Sequence, residues 1–391
     1  MNQSKRFERE LEVIDEVVKG FDDSWYSEQE GLIREKLSHF VDDVVVEGFQ
    51  RDRLEGNTVV YLPRHLSHVD YIALALKLHD LRMPPPVFAA GSNLFIGRFG
   101  DYLKRGKAVP INRRLMGSPG YVFQVIKRFV NFVAEGEDTG IYTEGGRSYD
   151  GQIEQLNPLF FGMTERAQEK AGDMAEDIVL QPIAESYDWV PESEIFHLLS
   201  KTRGLRNYGY SLIKRLGDLA YYGLDLTVFA PRYFLSNPEG SLYLSFGQPK
   251  TVRELKIEAA AHEPKIRYAD HARNYVRAEL IKHQRVTPTA LVAFCIEEQG
   301  TPRDVDRMEL GDRVELYAHM LVSQGFKLSI YFDGIRDPFG AGVDIFQRNG
   351  VLNARNGSIK VRNPHVVRYY ANTIREVMET SREICLRDSR H

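Results

Sequence analysis

The spacing of apolar residues divides the chain into three stretches. Over residues 1–50 they recur at helical intervals: Phe7, Leu11, Ile14, Val17 and Val18, then Leu32, Leu37, Phe40, Val44 and Val45. Recurrence at three and four positions gives a helix one apolar face, so this stretch predicts helices capping a larger body. From about 55 to 250 the pattern becomes short β-branched runs separated by longer amphipathic segments. Runs at 58–62, 86–90, 107–111, 139–143, 178–184 and 225–230 predict strands. Segments at 70–80, 93–104, 119–135 and 159–172 predict helices. This alternation predicts an α/β fold with a largely parallel central sheet flanked by helices.

Two details refine that sheet. The run 241–246 follows the turn signal Asn237-Pro238-Glu239-Gly240, which predicts an antiparallel edge hairpin. Pro182 interrupts the run 178–184 and predicts an edge strand or a bulge, since proline has no N–H for the ladder. From about 265 the chain reads as mainly helical, over 266–284, 287–298, 303–324 and 364–387. A Gly/Asp/Pro-rich loop is expected at 333–342 and a hairpin around Asn356-Gly357. The expected divisions are a helical region over 1–50, an α/β domain over 51–255 and a mainly helical domain over 256–391.

Composition adds limits. The 391 residues are 43% hydrophobic and 27% charged, enough to bury a sizeable core. A net charge of -4 gives no general attraction to nucleic acid. Cys295 and Cys385 are far apart and lack metal-ligand spacing, so a reducing, cytoplasmic setting without a metal is expected. The charged N-terminus does not read as a signal peptide, and no run of about 18 apolar residues predicts a membrane span.

The candidate chemistry collects at strand ends, where parallel sheets gather ligands. His65 and Asp70 follow the first predicted strand, Gly91-Ser92-Asn93 the second, Asn112-Arg113-Arg114 the third and Glu144-Gly145-Gly146-Arg147-Ser148 the fourth. Four polar strand ends point to one shared site. His65 can serve as a general base with Asp70 fixing its tautomer; helix capping is the other reading of Asp70. Arg113 and Arg114 read as an anion clamp or as a solvated basic turn. Gly145 and Gly146 let backbone N–H groups approach an anion, beside the charge of Arg147 and the hydroxyl of Ser148. Glu144 is an acceptor for a substrate hydroxyl or for an arginine. No Gly-Lys-Ser/Thr ending follows, so this is not a nucleotide-binding P-loop.

Together these stretches resemble the glycerolipid acyltransferases, and within them the glycerol-3-phosphate acyltransferase branch. The family's His-x4-Asp block appears as His65-Leu66-Ser67-His68-Val69-Asp70, followed by Tyr71. Ala89-Ala90-Gly91-Ser92-Asn93-Leu94 resembles the segment that follows it in this branch. Ile111-Asn112-Arg113-Arg114 resembles the second block, and Glu144 to Ser148 carries the third intact. Pro182 matches the proline of the fourth block, and Phe246-Gly247-Gln248-Pro249 the closing Phe-Gly-x-Pro. Val286 to Leu291 and Arg355-Asn356-Gly357 resemble the tail of the branch. Two departures concern the acceptor: Leu66 stands where the branch commonly has arginine, and Ala108-Val109-Pro110-Ile111 lacks its paired phenylalanine. Ile111-Asn112-Arg113 is similar to the lysophosphatidate acyltransferase branch.

The resemblance implies transfer of a fatty acyl group from acyl-CoA or acyl carrier protein to the sn-1 hydroxyl of glycerol 3-phosphate, the first step of phospholipid synthesis. It implies His65 as base and Asp70 as its orienting partner. Arg113, Arg147 and Arg114 would hold the phosphate, and Glu144 and Ser148 the glycerol. Gly145 and Gly146 would face phosphate or oxyanion, and Pro182 counts among the substrate-binding positions. No cofactor beyond the thioester is implied. Peripheral contact with the inner face of the membrane is expected, and the basic, aromatic stretch 201–223 suits an anionic interface or a core-packed surface helix. Alternatives are sn-2 acylation of lysophosphatidate, a thioesterase, and a non-catalytic lipid- or phosphate-binding protein.

Overall fold

Strand β2 (Thr58–Pro63) is buried along its whole length, and its side chains alternate between two cores. Val59 and Tyr61 enter one, Val60 and Leu62 the other. A strand that is apolar on both faces needs cover on both, which is how a helix-flanked parallel sheet arises. The computed structural model describes residues 3–22, 24–95, 97–112, 114–172, 176–200, 238–300, 304–329, 337–355 and 357–388. The expected strand at 225–230, the stretch 201–223 and Arg113 lie outside the described residues.

The other strands of this sheet are β1 (Asp43–Glu47), β3 (Val87–Gly91), β4 (Ala108–Ile111), β5 (Thr139–Gly140), β6 (Ile178–Tyr187), β7 (Ser241–Phe246) and β8 (Lys250–Thr251). Their order is β1-β7-β6-β2-β5-β3-β4, with β8 paired to β6. Pairing is parallel except where β6 meets β7 and β8. The first helices are α1 (Gln3–Lys19), α2 (Trp25–Leu37), α3 (Arg51–Leu54), α4 (Asp70–Asp80), α5 (Gly97–Arg105), α6 (Pro119–Ala134) and α7 (Pro158–Ala171). Helices α2 and α4 cover one face of the sheet, with the C-terminal helices beyond them. Helices α1, α6 and α7 cover the other, with helices Val252–Ala261 and Tyr268–His283. Strand β5 pairs with β3, Gly140 opposite Phe88, and a Cβ on Gly140 would sit 2.0 Å from the Phe88 ring, so a larger residue would displace that ring.

Several elements differ from the sequence reading. Val44 and Val45 lie on β1, not on a helix, because the β-branched run Val44-Val45-Val46 pairs in parallel with Leu242, Tyr243 and Leu244. Strand β7 is antiparallel to β6 as expected, but β1 covers its outer side, so it is not an edge. Pro182 also lies on an interior strand. Its missing N–H falls where β6 changes partner, from β8 at Val179–Leu180 to β7 at Ile183. The Pro182 carbonyl there accepts from Gly247 N–H at 2.9 Å.

In the C-terminal part, residues Asp304–Asp306 form a strand ahead of helix Arg307–Ser323 rather than its first turn. They extend the expected hairpin, Leu352–Arg355 with Ser358–Val361, into a three-stranded sheet. Helix Pro338–Arg348 starts inside the expected loop, capped by Asp337 with Pro338 in its first turn. The last helical stretch breaks at Ile374 into Pro364–Thr373 and Arg375–Asp388. This part reaches the main sheet from behind. The fully buried Arg64 donates from Nη1 to Gln284 Oε1 at 2.5 Å and from Nη2 to the Gly151 carbonyl. Val190 N–H donates to the Tyr370 hydroxyl at 2.6 Å.

Candidate active site

Strand β2 ends at Pro63, and α4 starts at Asp70, fully buried. The intervening turn aims its polar groups at that one carboxylate. Asp70 Oδ2 accepts from Leu66 N–H at 2.7 Å, from Ser67 N–H at 2.8 Å, and lies 2.9 Å from His65 Nδ1. Oδ1 accepts from the Tyr187 hydroxyl at 2.6 Å. Asp70 thus fastens the preceding turn and orients the imidazole at once; it does not cap α4, whose N-cap position is Val69 with no side-chain cap bond. With Nδ1–H donating to a carboxylate, Nε2 keeps its lone pair. Burial pushes the His65 pKa down to about 4, against the pull of Asp70, so the ring is neutral at neutral pH. Tyr142 packs over the imidazole, centroids 4.2 Å apart.

Glu144 does not face a ligand. Its carboxyl accepts from His65 N–H at 3.0 Å and from Glu154 N–H at 3.1 Å, tying the glycine loop to the histidine loop. Burial raises its pKa to about 7. Ser148 is also turned inward: its hydroxyl donates to the Gln152 carbonyl at 2.8 Å and accepts from Gly151 N–H at 3.1 Å, and its N–H donates to the His65 carbonyl at 2.9 Å. The sequence expectation that these two residues grip the glycerol is corrected on that geometry: they shape the loop that presents His65.

Arg147 is 3% exposed and already faces an anion, with Nη1 3.5 Å from Glu192 Oε1. Its guanidinium also lies over Tyr149 and Phe196. Glu192, which the sequence reading missed, accepts from the Ser67 hydroxyl at 2.7 Å and from His68 N–H at 3.0 Å. The available signal was an acidic residue directly after the apolar run Trp189-Val190-Pro191. Pro182 is not at the site; it packs 3.4 Å from where a Gly247 Cβ would lie.

A cavity of about 640 Å³ opens in front of His65. His68, Tyr71, Gly145, Gly146, Arg147 and the exposed Arg114 line it with His65. Gly145 holds φ +72°, a left-handed conformation suited to glycine. Farther in, the wall is apolar: Trp25 and Ile33 from α2, Leu103 from α5, Phe129 from α6, Phe160 and Met163 from α7. The N-terminal region therefore supplies part of the cavity wall. A polar mouth with an apolar interior can hold an amphiphile with its reactive end at His65.

The family model Acyltransferase matches residues 43–186. A glycerol-3-phosphate acyltransferase of Aeromonas hydrophila is 32% identical over 187 residues, 47% of this chain and 23% of that protein. One from Shewanella amazonensis is 25% identical over 265 residues, 66% of this chain and 30% of that protein. Over these stretches the chain is similar to acyltransferases, and the relatives named here are glycerol-3-phosphate acyltransferases. Its match spans less than a third of the length of those relatives. Among solved structures, the 1-acyl-sn-glycerophosphate (LPA) acyltransferase of Thermotoga maritima is similar at 16% identity, with a TM-score of 0.35, covering 64% of this chain and 77% of that one. The matched acyltransferase domain holds His65, Asp70 and the glycine loop, while Glu192 and Gln284 lie beyond it.

Proposed function

We propose that this chain transfers a fatty acyl group from acyl-CoA or acyl carrier protein to the sn-1 hydroxyl of glycerol 3-phosphate, the first step of phospholipid synthesis. The observation that carries the reading is the His65–Asp70 pair at the polar end of a deep apolar cavity. His65 Nε2 takes the hydroxyl proton as the oxygen attacks the thioester carbonyl. The new C–O bond forms, the C–S bond breaks, and the imidazolium returns its proton to the departing sulfur. Asp70 stabilises the imidazolium in between. Help of this kind is worth about 10²–10⁴ in rate.

Arg114 at the cavity mouth, with Arg113 beside it in sequence, meets the phosphate. Arg147 has its charge balanced by Glu192, so its part is to complete the wall. The Gly146 backbone N–H faces the developing oxyanion, while that of Gly145 donates to the Tyr142 carbonyl at 3.0 Å and holds the loop. The thioester is already activated, so the reaction needs no cofactor. An amphiphilic donor and a lipid product favour action at the inner face of the membrane by peripheral docking. Among the described residues no helix is long and apolar enough to cross a membrane.

The test is a substrate panel on purified protein: glycerol 3-phosphate, dihydroxyacetone phosphate and lysophosphatidate against both donors, with wild type and His65→Ala. Preference for glycerol 3-phosphate, lost in His65→Ala, supports the reading. Preference for lysophosphatidate moves the activity to sn-2. Thioester cleavage at full rate without acceptor makes the protein a thioesterase.

A further inference from the structure

Behind the His65–Asp70 pair, on β6, lies a carboxyl that the mechanism above does not use. Glu185 and Tyr187 are two positions apart on one strand, so their side chains leave the sheet on the same face. The Tyr187 hydroxyl reaches Asp70 Oδ1, and the Glu185 carboxyl lies against the same carboxylate. Glu185 is fully buried, and neither of its oxygens has a hydrogen-bond partner as it stands. An ionised Glu185 would be an orphaned anion facing a second anion, an arrangement that buried sites avoid by holding a proton.

Charge balance points the same way. The groups facing Glu185 are Asp70 from α4, Arg64 from the end of β2, Glu144 and Tyr142 from the segment after β5, and Tyr187 on β6 itself. The buried cations around His65 are Arg64 and Arg147, and the carboxyls packed with them are Asp70, Glu144, Glu185 and Glu192. Four carboxylates would outnumber two cations, so protons are held among them. Asp70 accepts hydrogen bonds from several donors, and Glu192 accepts from Ser67, His68 and Arg147. Glu185 is the one left without a donor.

We propose that Glu185 is a positioning residue for the proposed acyl transfer: protonated, it hydrogen-bonds Asp70, and the pair, sharing one proton and one negative charge, holds Asp70 against His65. The proton fills the missing hydrogen bond and leaves Asp70 ionised for the imidazolium. When Glu185 loses that proton at alkaline pH, two carboxylates face each other and Asp70 is driven off its alignment. This inference rests on His65 acting as the base.

Two variants and two readouts test it. Glu185→Leu removes the donor, and kcat falls about tenfold while KM stays within about twofold, as expected for losing a hydrogen bond to a charged group away from the substrate. Glu185→Gln keeps a neutral donor and restores kcat to within about threefold of wild type. Wild type is expected to lose kcat at alkaline pH as Glu185 deprotonates, and the Gln variant is expected to lack that fall. The second readout needs no turnover: the infrared spectrum of wild type minus Glu185→Gln at neutral pH shows the carbonyl stretch of a protonated carboxyl. A missing band, a wild-type kcat in the Leu variant, or an unchanged alkaline limb in the Gln variant overturns the proposal. If the Leu variant fails to fold, the Gln variant and the spectrum decide. The spectrum also decides if the substrate panel finds no acyl transfer, so the two failures are told apart.

Discussion

The Ser67 hydroxyl donates to Glu192 Oε2 at 2.7 Å, across 125 positions of sequence. Through that bond, and those to His68 and Arg147, one buried carboxylate ties the turn carrying His65 to the loop carrying Gly145 and Gly146. Glu192→Ala takes from the buried Arg147 the carboxylate it faces, and from Ser67 and His68 their acceptor. Breaking a buried pair this way costs about 3–5 kcal/mol. Urea unfolding of the variant is expected to show that loss, with Glu192→Gln costing less because it keeps an acceptor for Ser67 or His68.

His65→Ala and Asp70→Asn separate the base from its orienting partner. Loss of the base is expected to lower kcat by about 10²–10⁴ with little change in KM. Asp70→Asn is expected to lower kcat as well, because an amide can donate to Nδ1 and stabilise the wrong tautomer. Steady-state kinetics with saturating glycerol 3-phosphate and a thioester donor check both.

The contribution of three buried carboxyls to stability is expected to fall as pH rises from about 4 to about 7. Burial lifts the carboxyl groups of Asp138, Asp188 and Glu144 to about 7. In that window the folded chain holds protons that the unfolded chain has released, so raising the pH favours unfolding; above it the contribution of these groups is flat. Asp138 accepts from Val59 N–H through Oδ1, and its Oδ2 has no partner. Asp138→Asn keeps the acceptor without the charge. Relative to wild type it is expected to gain on the order of 2 kcal/mol between pH 5 and pH 8, read from thermal melts.

Trp25 closes the apolar end of the cavity against Gly106, where a Cβ would sit 3.1 Å from the indole ring. Trp25→Phe opens that end without breaking a hydrogen bond, since the buried indole N–H has no partner. The variant is expected to shift preference toward longer acyl donors, measured by competition between two chain lengths.

Docking on the bilayer is expected to depend on the basic residues of the stretch 201–223. Replacing Arg206, Lys214 and Arg215 with glutamate is expected to weaken sedimentation with anionic vesicles and to leave neutral vesicles unaffected.

The sheet was legible in the sequence because its strands are buried on both faces and read as apolar runs between helices. The polar strand ends were legible too, since topology alone sends them to one side. What stayed hidden depends on partners far away in sequence. Val44 and Val45 fit a helical face, and only the β7 edge makes them a strand. Glu144 and Ser148 looked like ligand groups because nothing local showed that His65, Glu154 and Gln152 use them. Glu192 and Glu185 carried no spacing signal, as their roles come from where β6 runs rather than from their neighbours. Trp25 and Ile33 lie outside the apolar spacing that predicts the cap, and only the fold shows them lining a cavity.

Arg64 sets a limit on how far this chain can be divided. It sits one residue before His65, and the group that receives its Nη1 is Gln284, almost a hundred positions past the end of the family match. The motif region and the C-terminal layer are therefore one packed unit, although the family match covers only the first. Trimmed to residues 43–186, the chain would keep the His-x4-Asp and Glu-Gly-Gly-Arg-Ser blocks, yet Arg64 beside the base would lose its Gln284 partner.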